Sequence, residues 1–382
     1  MQAHVRVVAR ASSEMRGKLA TIVWLFVAAG SAEPAQAEER DFYGLLRSRD
    51  LTPFGFLRLD MRPAHAVAIE PGSWAFEAEL AYQNTWSLSS EVEDYLTGVE
   101  AQGRHDFGPA DLAAIQALPG EKYLLDVESA VLDLTFHYKF SHDWTGYLIA
   151  SGVSYQGGFL DGTIESFHKT FGFSSFGRPA ARRNDVNLIY NLKTAQVTSF
   201  GTPTSGGYSD PTLGVRYVGF DLPEPWYLAL EAAVKIPIGG ERLLLSTGRT
   251  DYGLQASVQH RGDRHAWYGN AAAVYYAGAS FPAPQDSQVV PTLIFGYEYA
   301  ATGNTNLKVQ AYVSESVYRH RQTDLEELLG EKYQVSVGMR HRHENMLFTF
   351  GITENLQNIN NTPDIGFQLG FAYVPKRVHG GK

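Results

Sequence analysis

The chain has 382 residues, of which 44% are hydrophobic, 13% aromatic and only 19% charged, and it carries a net charge of −9. An average soluble chain has about 25% charged residues, so this composition is neither that of a disordered chain nor that of a basic one. Residues 1–37 hold four basic and two acidic side chains, so the remainder carries −11, which speaks against nucleic-acid binding, and the absence of cysteine excludes disulfides, thiolate metal sites and cysteine nucleophiles.

Residues 1–37 read as a signal peptide. Lys18 precedes the apolar run Leu19 to Gly30, and the small-residue site Ala35-Gln36-Ala37 follows, which is the order of an export signal. The run is too short to span a bilayer. Translation from Met15 would give a compact basic region ahead of it; a buried N-terminal helix is the alternative reading of the run. No later stretch approaches the roughly 20 consecutive apolar residues of a membrane helix, so a membrane role after export falls to strands. Residues 38–72 read as an irregular N-terminal segment leading into the fold, interrupted by Pro53, Pro63 and Pro71.

From Ser73 the pattern has period two. Trp74, Phe76, Ala78, Leu80 and Tyr82 alternate with Ala75, Glu77, Glu79 and Ala81, and Leu132, Leu134, Phe136 and Tyr138 alternate with Val131, Asp133, Thr135, His137 and Lys139. Strands are expected at 73–84, 128–140, 144–155, 212–220, 226–237, 251–260, 265–277, 289–300, 305–317, 332–342, 346–355 and 364–374. The last, Ile365 to Val374, places Ile, Phe, Leu, Phe and Tyr on one face against Gly, Gln, Gly and Ala on the other.

The connections alternate in length. Short turns fall at 141–143, 221–225, 261–264, 301–304 and 343–345; longer loops fall at 85–127, 156–211, 238–250, 278–288, 318–331 and 356–363. This is the asymmetry of an outer-membrane barrel of a Gram-negative cell, with tight periplasmic turns and long external loops. The strand-like residues 186–200 fit as a hairpin projecting from the rim within the long 156–211 excursion, which keeps the count even. The fold class is therefore an all-β, antiparallel transmembrane β-barrel of about 12 strands (range 10–14), spanning 73–374, with a tail at 375–382.

Closure makes one face meet lipid and the other the lumen. The outer set includes Trp226, Leu230, Leu293, Phe295, Phe348 and Phe350. The lumen-lining set is Glu77, Glu79, Asp133, His137, Lys139, Arg216, Glu231, Lys235, Glu298, Lys308 and Arg340, with Gln310 and Gln368. Mixed charge and about twelve strands favour a narrow, partly salt-bridged interior over a wide channel.

Residues 156–177 read QGGFLDGTIESFHKTFGFSSFG. Leu160, Ile164, Phe167 and Phe171 make an apolar stripe along a short helix in an external loop, with Asp161, Glu165 and His168 on the adjacent polar face. The string GGFLDG-x-IE-x-FH-x-x-FG, together with Pro71-Gly72-Ser73-Trp74, resembles an uncharacterised outer-membrane family, domain of unknown function 3187 (DUF3187). The close match covers about 155–185. The resemblance implies outer-membrane location and fold class, and it supplies no catalytic residues.

Asp161, Glu165 and His168 lie within reach of one divalent ion on such a helix, the alternative being a polar helix face turned towards the lumen or the loops, and His341-x-His343 near a tight turn has chelating spacing. No serine carries a hydrolase motif, and dinucleotide and phosphate-loop motifs are absent. The expectation is a monomeric, porin-like, non-enzymatic passive pore or transporter for small solutes, without catalytic, metal or cofactor sites. Its expected partners are outer-membrane lipid and the barrel-assembly machinery. The competing readings are a barrel-embedded enzyme using residues 156–211 and a soluble exported ligand-binding β protein. The helix stripe must be buried either in the barrel mouth, which the flexible Gly157-Gly158 and Gly162 favour, or on the outer leaflet at the rim.

Overall fold

The computed structural model describes residues 41–49, 55, 57–63, 70–172, 174–199, 204–279, 284–357 and 365–375. The expected signal peptide and most of the expected tail lie outside them.

Fifteen strands form one antiparallel sheet: β1 (Trp74–Leu88), β2 (Lys122–Lys139), β3 (Trp144–Gln156), β4 (Asn187–Leu192), β5 (Ala195–Ser199), β6 (Gly206–Tyr208), β7 (Thr212–Tyr217), β8 (Trp226–Lys235), β9 (Asp251–Arg261), β10 (His265–Tyr276), β11 (Gln288–Ala300), β12 (Thr305–Ser314), β13 (Lys332–His343), β14 (Met346–Gln357) and β15 (Ile365–Tyr373). Twelve of them close a barrel, because β1 pairs with both β2 and β15 while β3 pairs with both β2 and β7. All twelve expected strands are present, and closure leaves no open edge in the wall.

The short turns satisfy their own backbone. Ser141 Oγ accepts from the Asp143 and Trp144 amides, and Thr302 Oγ1 does the same for Asn304 and Thr305. These turns mark one rim of the barrel, and the long loops mark the other.

The expectation for 85–127 is corrected. β1 runs on to Leu88 and β2 begins at Lys122, so this hairpin rises well above its neighbours. Its loop carries two helices, α1 (Ser90–Val99) and α2 (Pro109–Ala117). The 186–200 hairpin is present as β4–β5 and pairs with the raised end of β2, Lys122↔Asn191 to Asp126↔Asn187. The outward face of this extension is covered: Trp86, Leu88, Leu124 and Ile189 pack with Val92, Leu96, Phe107, Ile115 and Ala180 in a small external core. Its inward face joins a second core of Tyr123, Leu125, Val127, Tyr155, Tyr190, Leu244, Leu245, Tyr276, Tyr318 and Leu328, which fills the long-loop end of the lumen.

Candidate functional site

Parity assigns the wall residues. Along β1 the odd positions Ala75, Glu77 and Glu79 are buried while Trp74 and Leu80 are exposed, and on β11 Ile294 and Glu298 are buried while Leu293 and Phe295 are exposed. An outer surface of Trp74, Leu132, Phe136, Trp226, Leu230, Leu293, Phe295, Phe348 and Phe350 is stable only against hydrocarbon, which identifies it as the lipid-facing belt. Ten of the eleven expected lumen residues are buried; Lys139 is half-buried at the short-turn rim.

Several inward charges pair across the wall, as expected. Glu298 opposes Lys308 with Oε1 and Nζ 2.5 Å apart, Arg216 Nε lies 2.7 Å from Glu231 Oε2, and Lys235 Nζ lies 3.0 Å from Asp251 Oδ2. Tyr147 donates to Glu231 Oε1 at 2.8 Å.

The β1–β2 wall is different, because Glu79 stands directly opposite Asp133. Like charges across a strand pair repel. Arg62 from the N-terminal segment answers both, with Nη2 2.8 Å from Asp133 and Nη1 3.9 Å from Glu79. Arg47 Nε lies 3.6 Å from Glu77 and 3.8 Å from Glu79, and Arg49 Nη1 lies 3.6 Å from Asp133. Arg340 on β13 adds its Nη2 at 3.8 Å from Glu79, and His137 Nε2 lies 3.2 Å from Glu77.

Residues 41–49 and 57–63 therefore lie inside the barrel, and the neighbours of each give their course. At the short-turn rim the Tyr43 and Gly44 amides donate to the Glu298 carboxylate at 2.8 and 3.1 Å, and Arg340 Nη1 donates to the Tyr43 carbonyl at 2.6 Å. Midway, Gln310 brackets Leu46, accepting from its amide at 2.9 Å and donating to its carbonyl at 3.2 Å. At the long-loop end Arg58 Nη2 donates to Tyr312 Oη at 3.0 Å and Ser314 Oγ at 3.2 Å, and Leu57 joins the upper core. The Leu59 amide donates to Asp251, and Gln255 donates to the Arg62 carbonyl at 3.0 Å, which brings the segment back to mid-wall along β9.

Glycines on the inward face make room for it. A Cβ at Gly296 would stand 2.3 Å from Leu45 Cδ2, one at Gly351 would stand 3.0 Å from Leu46 Cδ1, and one at Gly253 would stand 2.5 Å from Met61 Sδ. Two small cavities flank the segment, of about 30 Å³ beside Arg47, Glu79, Asp133 and Gln368, and about 20 Å³ beside Arg58, Asp60, Ser151 and Lys235. Each has room for a water or two.

The helix of the 156–177 motif is α3 (Asp161–Phe171), closed by Gly172 at φ 73°. Its expected polar face is split among separate partners. Asp161 takes Arg178 Nη1 at 2.6 Å, Asn84 Nδ2 at 3.0 Å and the Asn184 amide at 2.7 Å. Glu165 is bracketed by Arg104 Nη2 at 2.6 Å and Arg183 Nη2 at 2.5 Å, while His168 Nδ1 meets the Ser174 carbonyl at 2.8 Å. Burial alone would raise the Glu165 carboxyl, but the two guanidiniums outweigh it and hold the group below the usual carboxylate range. His341 Nδ1 pairs with Thr305 Oγ1 at 2.9 Å. Among the described residues no cluster of His, Cys, Asp or Glu is arranged to hold a metal.

The expected mouth position of this helix is overturned. Asn84, Tyr82 and Glu128 hold it, and all three share the parity of the lipid-facing Leu80 and Leu132 in an unbroken β1–β2 register. Glu128 accepts from the Phe159 and Leu160 amides at 3.0 and 2.6 Å, and Phe159 stacks on Tyr82 at 5.2 Å. The helix sits outside the wall at the long-loop rim, where the amides of the two residues just before it find a carboxylate, while the lumen is already filled.

The sequence matches the family described as a protein of unknown function, DUF3187, over residues 97–374. The chain belongs to the DUF3187 family. Among curated proteins none matches the sequence. The crystal structure of the COG4313 outer membrane channel from Pseudomonas putida F1 is similar to this DUF3187 chain with a TM-score of 0.50 at 12% identity, covering 82% of this chain and 99% of that one. The P. putida toluene transporter TodX matches with a TM-score of 0.36 at 8% identity over 79% and 89%, and the translocator domain of the autotransporter NalP from Neisseria meningitidis with 0.37 at 7% over 80% and 90%. The first of these likenesses, together with strand closure and the apolar belt, makes this DUF3187 protein a twelve-stranded barrel of the outer-membrane type.

Proposed function

We propose that the protein is a non-enzymatic outer-membrane pore for small polar solutes, held closed in this conformation by its own N-terminal segment. The observation that carries the reading is the filling of the lumen by a separate stretch of chain. Small eight-stranded barrels fill themselves with wall side chains, and lumen width grows with strand number. Here the wall withdraws into glycine at 253, 296 and 351, where it meets Met61, Leu45 and Leu46. A purely structural barrel has no need of a cavity built for a removable occupant.

Part of what holds the segment is ionic: Arg47 and Arg49 lie 3.6–3.8 Å from Glu77, Glu79 and Asp133, and buried ion pairs of this kind return little net stability after desolvation. A wall of Glu, Asp, Gln, Ser and Thr, with Arg216, Lys235, Lys308 and Arg340 among them, suits small polar solutes. The reading takes the barrel as a monomer in outer-membrane lipid, placed there by the barrel-assembly machinery, and assigns the 156–211 excursion no catalysis, since Asp161 and Glu165 are committed to arginines.

Proteoliposome swelling in isotonic solutions of small sugars and amino acids tests the function. Uptake is expected with the full mature chain and faster uptake with residues 41–63 deleted. No uptake by either form, with both running as folded, heat-modifiable barrels, would overturn the reading.

A further inference from the structure

We infer that Glu77, Glu79 and Asp133 on the β1–β2 wall form a binding site for a small cationic solute bearing guanidinium or amine groups, and that the N-terminal segment covers this site with guanidiniums of its own. The inference rests on the pore reading above and names the class of solute. The charges of the wall fall into two sets. Arg216, Lys235 and Lys308 each stand opposite an acid of the neighbouring strand, Glu231, Asp251 and Glu298, at 2.7, 3.0 and 2.5 Å, so these cations are neutralised within the wall whatever the lumen holds. On β1–β2, by contrast, Glu79 stands opposite Asp133, and Glu77 shares their inward face. Acids placed so repel one another. Three of the guanidiniums that answer them belong to the segment: Arg62 Nη2 lies 2.8 Å from Asp133, Arg49 Nη1 lies 3.6 Å from it, and Arg47 Nε lies 3.6 Å from Glu77 and 3.8 Å from Glu79.

The site therefore already holds the chemical group it suits, and holds it imperfectly. Arg47 is buried at 5% exposure and aimed at Glu77 and Glu79, yet among the described residues nothing accepts a hydrogen bond from its Nε or Nη1, nor from Nε or Nη1 of Arg62. A guanidinium has five N–H donors in a fixed fork, and one carried on a segment pinned elsewhere, at Glu298, Gln310 and Asp251, is not free to turn and present them. A solute guanidinium or amine is free to do so and to make short, charge-assisted bonds to carboxylate. Gln334 and Gln368 border the same small void as Glu79 and Asp133 and add amide oxygens as acceptors. From the wall itself Arg340 lies 3.8 Å from Glu79 and His137 lies 3.2 Å from Glu77, so withdrawal of the segment takes three guanidiniums from three carboxylates. The lumen then has to supply the counter-charge: an anion is repelled, a sugar brings no charge, and a cation answers it.

The test uses the full mature chain in proteoliposomes and compares the uptake of labelled agmatine, which carries a guanidinium and an amine, with that of xylose and of glutarate at matched ionic strength. Agmatine should enter several-fold faster than xylose, and glutarate more slowly than either. Glu79→Gln and Asp133→Asn should each lower the agmatine-to-xylose ratio several-fold, even where a loosened segment speeds both solutes. Equal entry of agmatine and xylose would overturn the inference and leave the pore reading standing. An agmatine preference that survives both substitutions would overturn it too, since the cation site would then lie elsewhere. No uptake of any solute by folded, heat-modifiable barrels would contradict the pore reading itself, and the inference with it. Should the variants fail to fold, the unaltered chain decides: agmatine should speed proteinase K cleavage within residues 41–63 by displacing the segment, where sodium chloride of the same ionic strength does not. Cleavage at the same rate in both would overturn the inference.

Discussion

Asp133 and Asp161 show how single acids organise this molecule. Asp161 is buried and shares Arg178 with Asn84, and Arg178 also lies over the Trp86 ring at 5.1 Å. Removing one partner of such a pair strands a buried charge at a cost of about 3–5 kcal/mol. Arg178→Ala should therefore loosen α3 and the external core without unfolding the wall; limited proteolysis within 156–185 should accelerate while heat-modifiable migration persists. Asp133 faces Glu79 across the wall and depends on Arg62. Gly296 is the matching test of shape, because its missing Cβ is where Leu45 sits. Gly296→Val should unseat the segment and leave the barrel folded, raising solute uptake in liposomes; unchanged uptake would show that Leu45 is not what holds the segment there. Asp133 was visible in the sequence only as an inward charge, and Asp161 only as part of a loop helix's polar face. Which cation meets Asp133 was not, because Arg62 reaches it from outside the strand ladder.

Among the elements, the wall strands were legible because burial on one face and lipid on the other impose a period of two over ten or so residues. The N-terminal segment has such a period only over the six residues Leu57 to Arg62. Its backbone bonds go to side chains about 190 to 260 positions away in sequence, such as Asp251 and Gln310, so nothing local marks it beyond arginines alternating with apolar residues, as in Leu45-Leu46-Arg47 and Leu57-Arg58-Leu59. The helix α3 was legible from its stripe, but its location was not, since a stripe states that burial is needed without stating where. The pH response of α3 belongs at this scale. Glu165 titrates below its unfolded value near 4.3, so the clip it makes with Arg104 and Arg183 is intact above that value and is lost as pH falls through the lower folded one. Hydrogen exchange of the α3 amides, corrected for intrinsic rates, should show protection dropping as pH falls below that unfolded value, and Glu165→Gln should abolish that drop.

For the whole molecule, lipid outside and charge inside make opposite demands on substitution. Leu230→Arg and Phe295→Arg place a charge in the belt and should each cost roughly 2–4 kcal/mol near the midplane, read as lost assembly. Gln310→Arg leaves the belt intact, but Gln310 brackets Leu46, so it should assemble and disturb the segment. On the proposed function, the wall forms a pore and the N-terminal segment closes it. Single-channel recording in planar bilayers, with the full mature chain beside the form lacking residues 41–63, tests it most directly. The shortened form should conduct several-fold more, and it should prefer cations, because Glu77, Glu79 and Asp133 lose Arg47, Arg49 and Arg62. Equal conductance in the two forms, or a shortened form that no longer assembles, would contradict the account.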